Sequence, residues 1–261
     1  MSSKDINEIK KKDLSKMLSH WFSYGAGIPA SNLEKALLKD LSNNIFGYNL
    51  IVLEDLGNTS SALQDCPVQN KLILSENQDL SVEASVHAKG EAIPFANDSI
   101  DLAVLPHTLD FSVDPQQILR EIERVLIPEG RVLIVGFNPI SLWGIWRLIL
   151  RRLNVAPWCG HFFSCARISD WLNLLGFDIE NVNVCAFLPP MKTKKRRKYL
   201  ELMERLGSRY LPSLTGIYVI KAVKKVSTIR PIKPKWNNLQ KFGKGAVGTS
   251  TRRKIHSKLR Y

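Results

Sequence analysis

The sequence predicts an open, doubly wound α/β sheet, and three observations support this prediction. Hydrophobic residues make up 44% of the 261-residue chain, enough to bury a sizeable core. Several short apolar runs end at glycine or at polar residues, as strands that lead into turns do. Residues 99–137 contain an apolar strand, an amphipathic helix, a turn and a second apolar strand in succession. This order is typical of a parallel sheet covered by helices on both faces.

The first predicted element is a helix over residues 32–41. Ser31 precedes it and Glu34 follows three residues later, a spacing that predicts a capping box. One helical face then carries the apolar side chains of Leu33, Ala36, Leu37 and Leu41. Gly47 closes the element, so we expect an N-terminal helical segment over residues 1–47.

Apolar runs predict the strands of the first half of the sheet. Residues 49–57 form a buried strand that leads into a turn, 71–76 and 83–88 are weaker candidates, and 99–105 is a stronger one. Only residues 76–82 separate the second and third candidates, whereas a parallel crossover needs about 10–12 residues. Either this crossover is reduced to a loop, or one of the two strands is misassigned.

The clearest unit follows. Asp114 is a helix N-cap and Pro115 takes the first helical position. The apolar face of this helix consists of Ile118, Leu119, Ile122, Val125 and Leu126. Residues 128–130, Pro-Glu-Gly, end the helix before a continuous apolar strand over 131–137. The rest of the predicted domain consists of a helix within 167–177 and strands over 178–187 and 215–223.

The formal charge of +13 is concentrated at the C-terminus. Residues 224–261 hold 12 of the 37 Lys and Arg residues and no Asp or Glu. Two prolines, three glycines and few large apolar residues leave this segment too little apolar surface to fold alone, so we predict a disordered tail. It either serves solubility or binds RNA or another polyanion, with Trp236 and Phe242 able to stack on bases. A second basic run at 192–198 favours the polyanion.

Composition argues against several classes of protein. No apolar run approaches the roughly 20 residues of a membrane span, and the charged N-terminus lacks the apolar stretch of a secretory signal. The four cysteines show no disulfide-like spacing. Cys159, His161 and Cys165 offer only three ligands at spacings unlike those of zinc sites, so we assign them to packing. We expect a cytoplasmic protein with no transmembrane segment and no metal.

Residues 92–95 read A-I-P-F, and residues 121–130 read E-I-E-R-V-L-I-P-E-G. This pattern over residues 92–139 resembles the class I S-adenosylmethionine-dependent methyltransferases of the type 11 group. Members of that family carry an A-L-P-F-x-x-x-S-F-D segment and an h-x-E-h-x-R-V-L-K-P-G-G-x-h segment at this spacing. The matching residues are Ala92, Pro94, Phe95, Ser99, Asp101, Glu121, Arg124, Val125, Leu126, Pro128 and Gly130. The resemblance is close over 92–139 and extends in outline over 48–223. It implies a Rossmann-like domain over 48–223 that uses S-adenosylmethionine, and it leaves the methyl acceptor open.

The resemblance also implies a cofactor site at the carboxyl ends of the strands, where ligands sit in open parallel sheets. The family's first loop, V-L-D-h-G-x-G-x-G, corresponds here to V-L-E-D-L-G-N-T-S-S. Asp55 and Gly57 match, whereas Thr59 and Ser61 stand where glycines are expected. Side chains there hinder the approach of a ligand to the backbone unless the turn has another shape.

The other predicted cofactor contacts follow the next strands. Glu76 corresponds to the family's ribose-binding carboxylate, and Lys89 replaces the acidic residue that usually faces the adenine amino group. The complete set of predicted cofactor-binding residues is Asp55, Gly57, Glu76, Lys89, Gly90 and Pro106.

His107 is the candidate catalytic residue. It ends the fourth strand, where family members often place groups that touch cofactor or substrate. Its ordinary pKa suits a general base. The alternative is a histidine that only makes hydrogen bonds at the end of a strand.

Residues 140–153 predict a hydrophobic helix with Trp143, Trp146 and three arginines. Core packing with a basic rim is the favoured interpretation, and a membrane-surface or lid role is the alternative.

The predicted function is methyl transfer from S-adenosylmethionine to a nucleophile by in-line displacement. The alternative is a noncatalytic domain of the same fold that binds RNA or another polyanion through residues 224–261.

Overall fold

The computed structural model describes residues 16–23, 27–55, 59–76, 86–150, 157–187 and 214–225. Its strands are β1 (Gly47–Leu53), β2 (Val68–Ser75), β3 (Val86–His87), β4 (Ile100–Pro106), β5 (Leu126–Phe137), β6 (Phe177–Cys185) and β7 (Ile217–Lys224). Its helices are α1 (16–23), α2 (Ile28–Ser42), α3 (Thr108–Phe111), α4 (Pro115–Val125), α5 (Leu142–Leu150) and α6 (Cys165–Leu174). A short 3-10 helix covers Thr59–Leu63.

The seven strands form one sheet in the order β3-β2-β1-β4-β5-β7-β6. The first five are parallel, and β7 runs antiparallel to both of its neighbours. The strand order reverses between β1 and β4, so the crevice at their carboxyl ends is the expected place for a ligand. The predicted doubly wound α/β fold is confirmed.

Both faces of the sheet are buried, because side chains alternate between two hydrophobic clusters. Leu50 and Val52 of β1 pack on the face that α1, α2 and α5 cover, with Trp143 of α5 among them. Ile51 and Leu53 pack on the opposite face, against α4 and α6. The strands are therefore continuous apolar runs, as parallel strands covered on both sides must be.

The short crossover between β2 and β3 is real. The two strands pair in parallel, with Leu74 opposite Val86 and Ser75 opposite His87. β3 begins three residues later than the predicted start at 83, which leaves residues 76–85 for the connection. This meets the minimum of about 10 residues for a crossover.

The predicted capping box at Ser31 is wrong. α2 begins earlier, at Ile28, with Gly27 as its N-cap and a proline in its first turn. Ser31 and Glu34 both lie inside the helix and are buried, whereas Leu33 is exposed. The helix turns Glu34 inward because that carboxylate has a buried partner elsewhere in the fold, which an apolar pattern cannot reveal.

The helix α4 matches its prediction, whereas β5 begins at Leu126 and runs through residues 128–130 with a register shift, instead of starting at residue 131. The Asp114 carboxylate accepts a hydrogen bond from the Gln117 amide at 2.9 Å, and Pro115 starts the helix. The predicted apolar face is buried. Its last residue, Leu126, already belongs to β5.

Several predicted features lie outside the described residues. They are Gly57, the basic run at 192–198 and all of the C-terminal tail from residue 226 onward. β7 runs to Lys224, whose amine contacts Asp98 and the carbonyl oxygens of Glu123 and Leu126. Within the described part of the chain, no helix has the length and apolar character needed to cross a membrane.

Candidate functional site

The carboxyl edge of the sheet brings most of the predicted site residues to one side of the domain. Asp55 follows β1, Glu76 follows β2, and Lys89 and Gly90 follow β3. Pro106 is the last residue of β4. The Thr108 hydroxyl at the start of α3 donates a buried 2.8 Å hydrogen bond to the Leu53 carbonyl at the end of β1.

A side chain links the end of β1 to the 3-10 helix. The Asp55 carboxylate accepts hydrogen bonds from the Ser60 amide at 3.0 Å and the Ser60 hydroxyl at 2.5 Å. Thr59 starts the 3-10 helix with its side chain buried. Thr59 and Ser61, which stand in place of glycines, thus lie in a 3-10 helix whose Ser60 is hydrogen-bonded to Asp55 at the end of β1.

Glu54 is a residue of this edge that the sequence analysis missed. Its backbone is left-handed, with φ of 53°, which is uncommon for a residue with a side chain. Its carboxylate accepts hydrogen bonds from the Glu76 amide at 3.0 Å and the Ser75 hydroxyl at 3.3 Å. Glu54 thereby joins the ends of β1 and β2 and orients the segment that carries Glu76. In the sequence, the two adjacent acidic residues at positions 54 and 55, directly after an apolar strand, could have indicated this residue.

Glu76 and Lys89 form an ion pair at the same edge. Glu76 Oε1 lies 3.5 Å from the Lys89 amine, and the two side chains are 25% and 51% exposed. Partial exposure keeps such a pair weak, because water and salt screen it. The Glu76 carboxylate is thus accessible to a ligand, with a cation beside it.

Gly90 and Pro106 are both buried beneath this edge. A Cβ atom at Gly90 would lie 3.4 Å from Ile118 Cδ1 and 3.6 Å from Leu53 Cδ2, which are ordinary packing distances. Both residues are therefore packed in the interior, and their role in cofactor binding stays a prediction.

His107 lies directly below this edge and has no exposed surface. Its Nδ1 is 3.2 Å from Asp110 Oδ2, and its Nε2 is 3.2 Å from Glu34 Oε2. Asp110 Oδ2 also accepts a 3.0 Å hydrogen bond from the Phe137 amide. This triad of Glu34, His107 and Asp110 connects α2, the end of β4, α3 and the end of β5.

Aromatic rings enclose the imidazole. The Phe137 ring stacks on it with centroids 3.9 Å apart, and Phe22 of α1 stacks at 5.3 Å. The faces of aromatic rings attract a cation, so this enclosure suits a protonated imidazole.

The charge state of His107 follows from these neighbours. Burial alone would lower the pKa of His107, but the charge of Glu34 and the hydrogen bonds to Asp110 and Glu34 outweigh it and raise the pKa to about 9. At neutral pH both ring nitrogens therefore carry protons and donate to Glu34 and Asp110, although burial raises the pKa of the Asp110 carboxyl. These contacts support the alternative in which His107 only makes hydrogen bonds, and its partners are two carboxylates. A catalytic role of His107 stays a prediction.

The segment around Cys159 and Cys165 packs against this region. The His161 amide donates to the Asp110 carbonyl at 2.7 Å, and burial raises the pKa of both thiols. Among the described residues, no group of three or more His, Cys, Asp or Glu side chains is arranged to hold a metal ion.

Comparison with known proteins places this geometry in context. Residues 46–134, from β1 to the middle of β5, match the family model described as methyltransferase domain. The uncharacterized protein YafS of Escherichia coli is 31% identical over 210 residues, which cover 78% of this chain and 81% of YafS. A ubiquinone/menaquinone biosynthesis C-methyltransferase from Hahella chejuensis is 34% identical over 108 residues, or 40% of this chain and 41% of that protein.

Solved structures share the fold. A chain from the complex of the Haloferax volcanii Trm112 methyltransferase activator with a methyltransferase superposes with a TM-score of 0.59 and 15% identity, covering 83% of this chain and 98% of that one. A methyltransferase from Thermotoga maritima that depends on S-adenosylmethionine superposes with a TM-score of 0.55 and 17% identity, covering 83% and 99%.

Proposed function

The chain belongs to the class I S-adenosylmethionine-dependent methyltransferases of the type 11 group, and we propose that it binds its cofactor at the carboxyl edge of β1, β2 and β4. The observation that carries this proposal is the partly exposed Glu76 carboxylate at the end of β2, one strand from the reversal of strand order, on a segment whose Glu76 amide is held by Glu54. The methyl acceptor would lie above the same edge.

One residue at this edge fits adenosylmethionine and another departs from the family pattern. Glu76 offers carboxylate oxygens to the ribose hydroxyls, and ionised acceptors make the stronger hydrogen bonds. The Lys89 amine, 3.5 Å from that carboxylate, is only a donor and cannot accept a hydrogen bond from the adenine amino group. Asp55 would act indirectly, because its carboxylate shapes the turn through Ser60.

Bound adenosylmethionine supplies an electrophilic methyl group, so the work left to the protein is chiefly binding and orientation. The buried triad of Glu34, His107 and Asp110 would contribute by fixing the end of β4 below the reacting groups. In this role His107 positions the strand end and moves no proton at neutral pH.

Replacing Glu76 by alanine is expected to weaken adenosylmethionine binding by about 1.5–3 kcal/mol, or roughly 10- to 150-fold. The reason is the loss of charge-assisted hydrogen bonds to the ribose. Isothermal titration calorimetry of the full chain with adenosylmethionine and with its demethylated product measures this directly. Asp178→Ala is the matched control. Asp178 is an exposed acidic residue on β6, the edge strand at the opposite side of the sheet, and it pairs with Lys225.

Two results would contradict the proposal. An unchanged affinity of the Glu76→Ala variant would place the ribose elsewhere. Absence of binding by the unmodified protein at millimolar ligand would favour the alternative, a noncatalytic domain that binds RNA or another polyanion through its basic tail.

A further inference from the structure

Helix α5 is apolar on two faces, although it lies at the surface of the protein. Trp143 faces inward and has no exposed surface. Ile145, Leu148 and Ile149, at the spacing of one helical face, are exposed by 56%, 73% and 69%. A surface helix normally turns polar side chains to water, and a helix that is apolar all round is normally covered.

The inner contacts fix which face points outward. The Trp143 ring stacks on Phe137 with centroids 5.8 Å apart. A Cβ atom at Gly144 would lie 1.9 Å from the Pro139 carbonyl oxygen, so the start of the helix sits directly on the preceding turn. The helix cannot rotate to bury its outer side chains without losing these contacts.

The outer face extends beyond the helix. Ile140, two residues before it, is mostly exposed, and Trp146 beside the outer face is partly exposed. Each large aliphatic side chain favours removal from water by about 1.5–3 kcal/mol, so a patch of this kind marks an interaction surface.

The sequence on both sides of α5 carries charged residues of one sign only. Residues 130–169 contain no Asp or Glu. Arg147 lies on the helix itself, stacked over Phe162 and donating to the Gly160 carbonyl at 2.9 Å. Arg151 and Arg152 follow the helix directly in the sequence. Aliphatic side chains, a tryptophan and arginines without acidic residues are the composition of helices that lie in the interface of an anionic bilayer.

We propose that the outer face of α5, formed by Ile145, Leu148 and Ile149, docks this protein on an anionic membrane surface with the helix lying in the plane of the headgroups. A lipid surface fits the patch because its outer side chains are aliphatic and the charged residues of this part of the sequence are basic, the combination that an anionic bilayer interface binds. The proposal concerns an outer surface and does not depend on cofactor binding.

Vesicle flotation of the full-length protein tests the proposal. The probes are vesicles of phosphatidylglycerol mixed with phosphatidylcholine, and vesicles of phosphatidylcholine alone. The double variant Leu148→Glu/Ile149→Glu is expected to lose roughly tenfold or more of its binding to the anionic vesicles. The matched control is Leu174→Glu on α6, which changes an even more exposed leucine, and it is expected to bind as the unmodified protein does.

Salt separates this docking from attraction by the basic tail. At about 0.5 M salt the Debye length is only about 4–5 Å, so tail-driven binding should collapse while binding through the apolar face persists. Both variants change exposed positions, and an unchanged melting temperature verifies that they fold.

Four results would overturn the proposal. They are equal flotation of the double variant and the unmodified protein at high salt, complete loss of binding by the unmodified protein at high salt, and equal binding to neutral vesicles at low salt. The fourth is a dimer, seen by analytical ultracentrifugation, that the double variant dissociates while vesicle binding stays the same, because the patch would then be covered by a second copy of the chain.

Discussion

Replacing Glu34 by alanine is expected to lower the free energy of unfolding by about 3–5 kcal/mol at pH 7. The change leaves the protonated His107 imidazole fully buried with one of its two carboxylate partners missing. Urea denaturation followed by far-ultraviolet circular dichroism measures the loss. Asp40→Ala is the matched control on the same helix, where the exposed side chain should matter by less than about 0.5 kcal/mol.

The same triad predicts how stability depends on pH. The pKa of His107 is about 9 in the folded protein and 6.5 as its ordinary value. A raised pKa contributes stability that is fully present below pH 6.5 and is lost as the pH rises through 9, on the order of 3 kcal/mol here. The destabilisation caused by Glu34→Ala should therefore shrink toward pH 10, where the imidazole is neutral in both proteins.

The variant Glu34→Gln separates charge from packing. It keeps the size of the side chain and a hydrogen-bonding group, but it removes the charge that most raises the pKa of His107. Its unfolding free energy should vary less between pH 6.5 and 9 than that of the unmodified protein. Equal destabilisation by Glu34→Ala at pH 7 and pH 10 would refute the charged triad and leave only a packing effect.

Replacing Trp143 by alanine is expected to cost about 3–5 kcal/mol of stability. The indole is fully buried and contacts three aromatic rings, those of Trp21, Phe137 and Trp158, at centroid distances of about 6 Å. The indole has room because residue 216 is a glycine: a Cβ atom at Gly216 would lie 2.2 Å from the indole. Truncation opens a cavity that these rings cannot fill without leaving their own contacts.

Trp146→Ala is the control for this prediction, since Trp146 lies three residues further along the same helix and is partly exposed. We expect it to cost less than about 1 kcal/mol. Hydrogen exchange adds a local readout, with faster exchange of the α5 amides in the Trp143→Ala variant alone. Equal losses of stability in the two variants would show that the inward anchoring of α5 is wrong.

Local patterns in the sequence were sufficient for the α/β fold and for the elements whose stability depends on nearby residues. α4 is the clearest example, because its cap, its first-turn proline and its apolar face all lie within 13 residues of chain. The continuous apolar strands likewise indicated a sheet that is buried on both faces.

Only the tertiary structure decided the environment of the candidate site. Glu34 and His107 are 73 positions apart in the chain, and no local spacing relates them, so Glu34 resembled a capping residue and His107 an accessible base. Glu54 likewise acquires its role from the amide at the end of a neighbouring strand. The physical reason is the same for both carboxylates, because a buried or strand-end charge is stabilised by partners that folding brings from distant parts of the chain. Helix caps and apolar faces depend instead on neighbours that the sequence already places side by side.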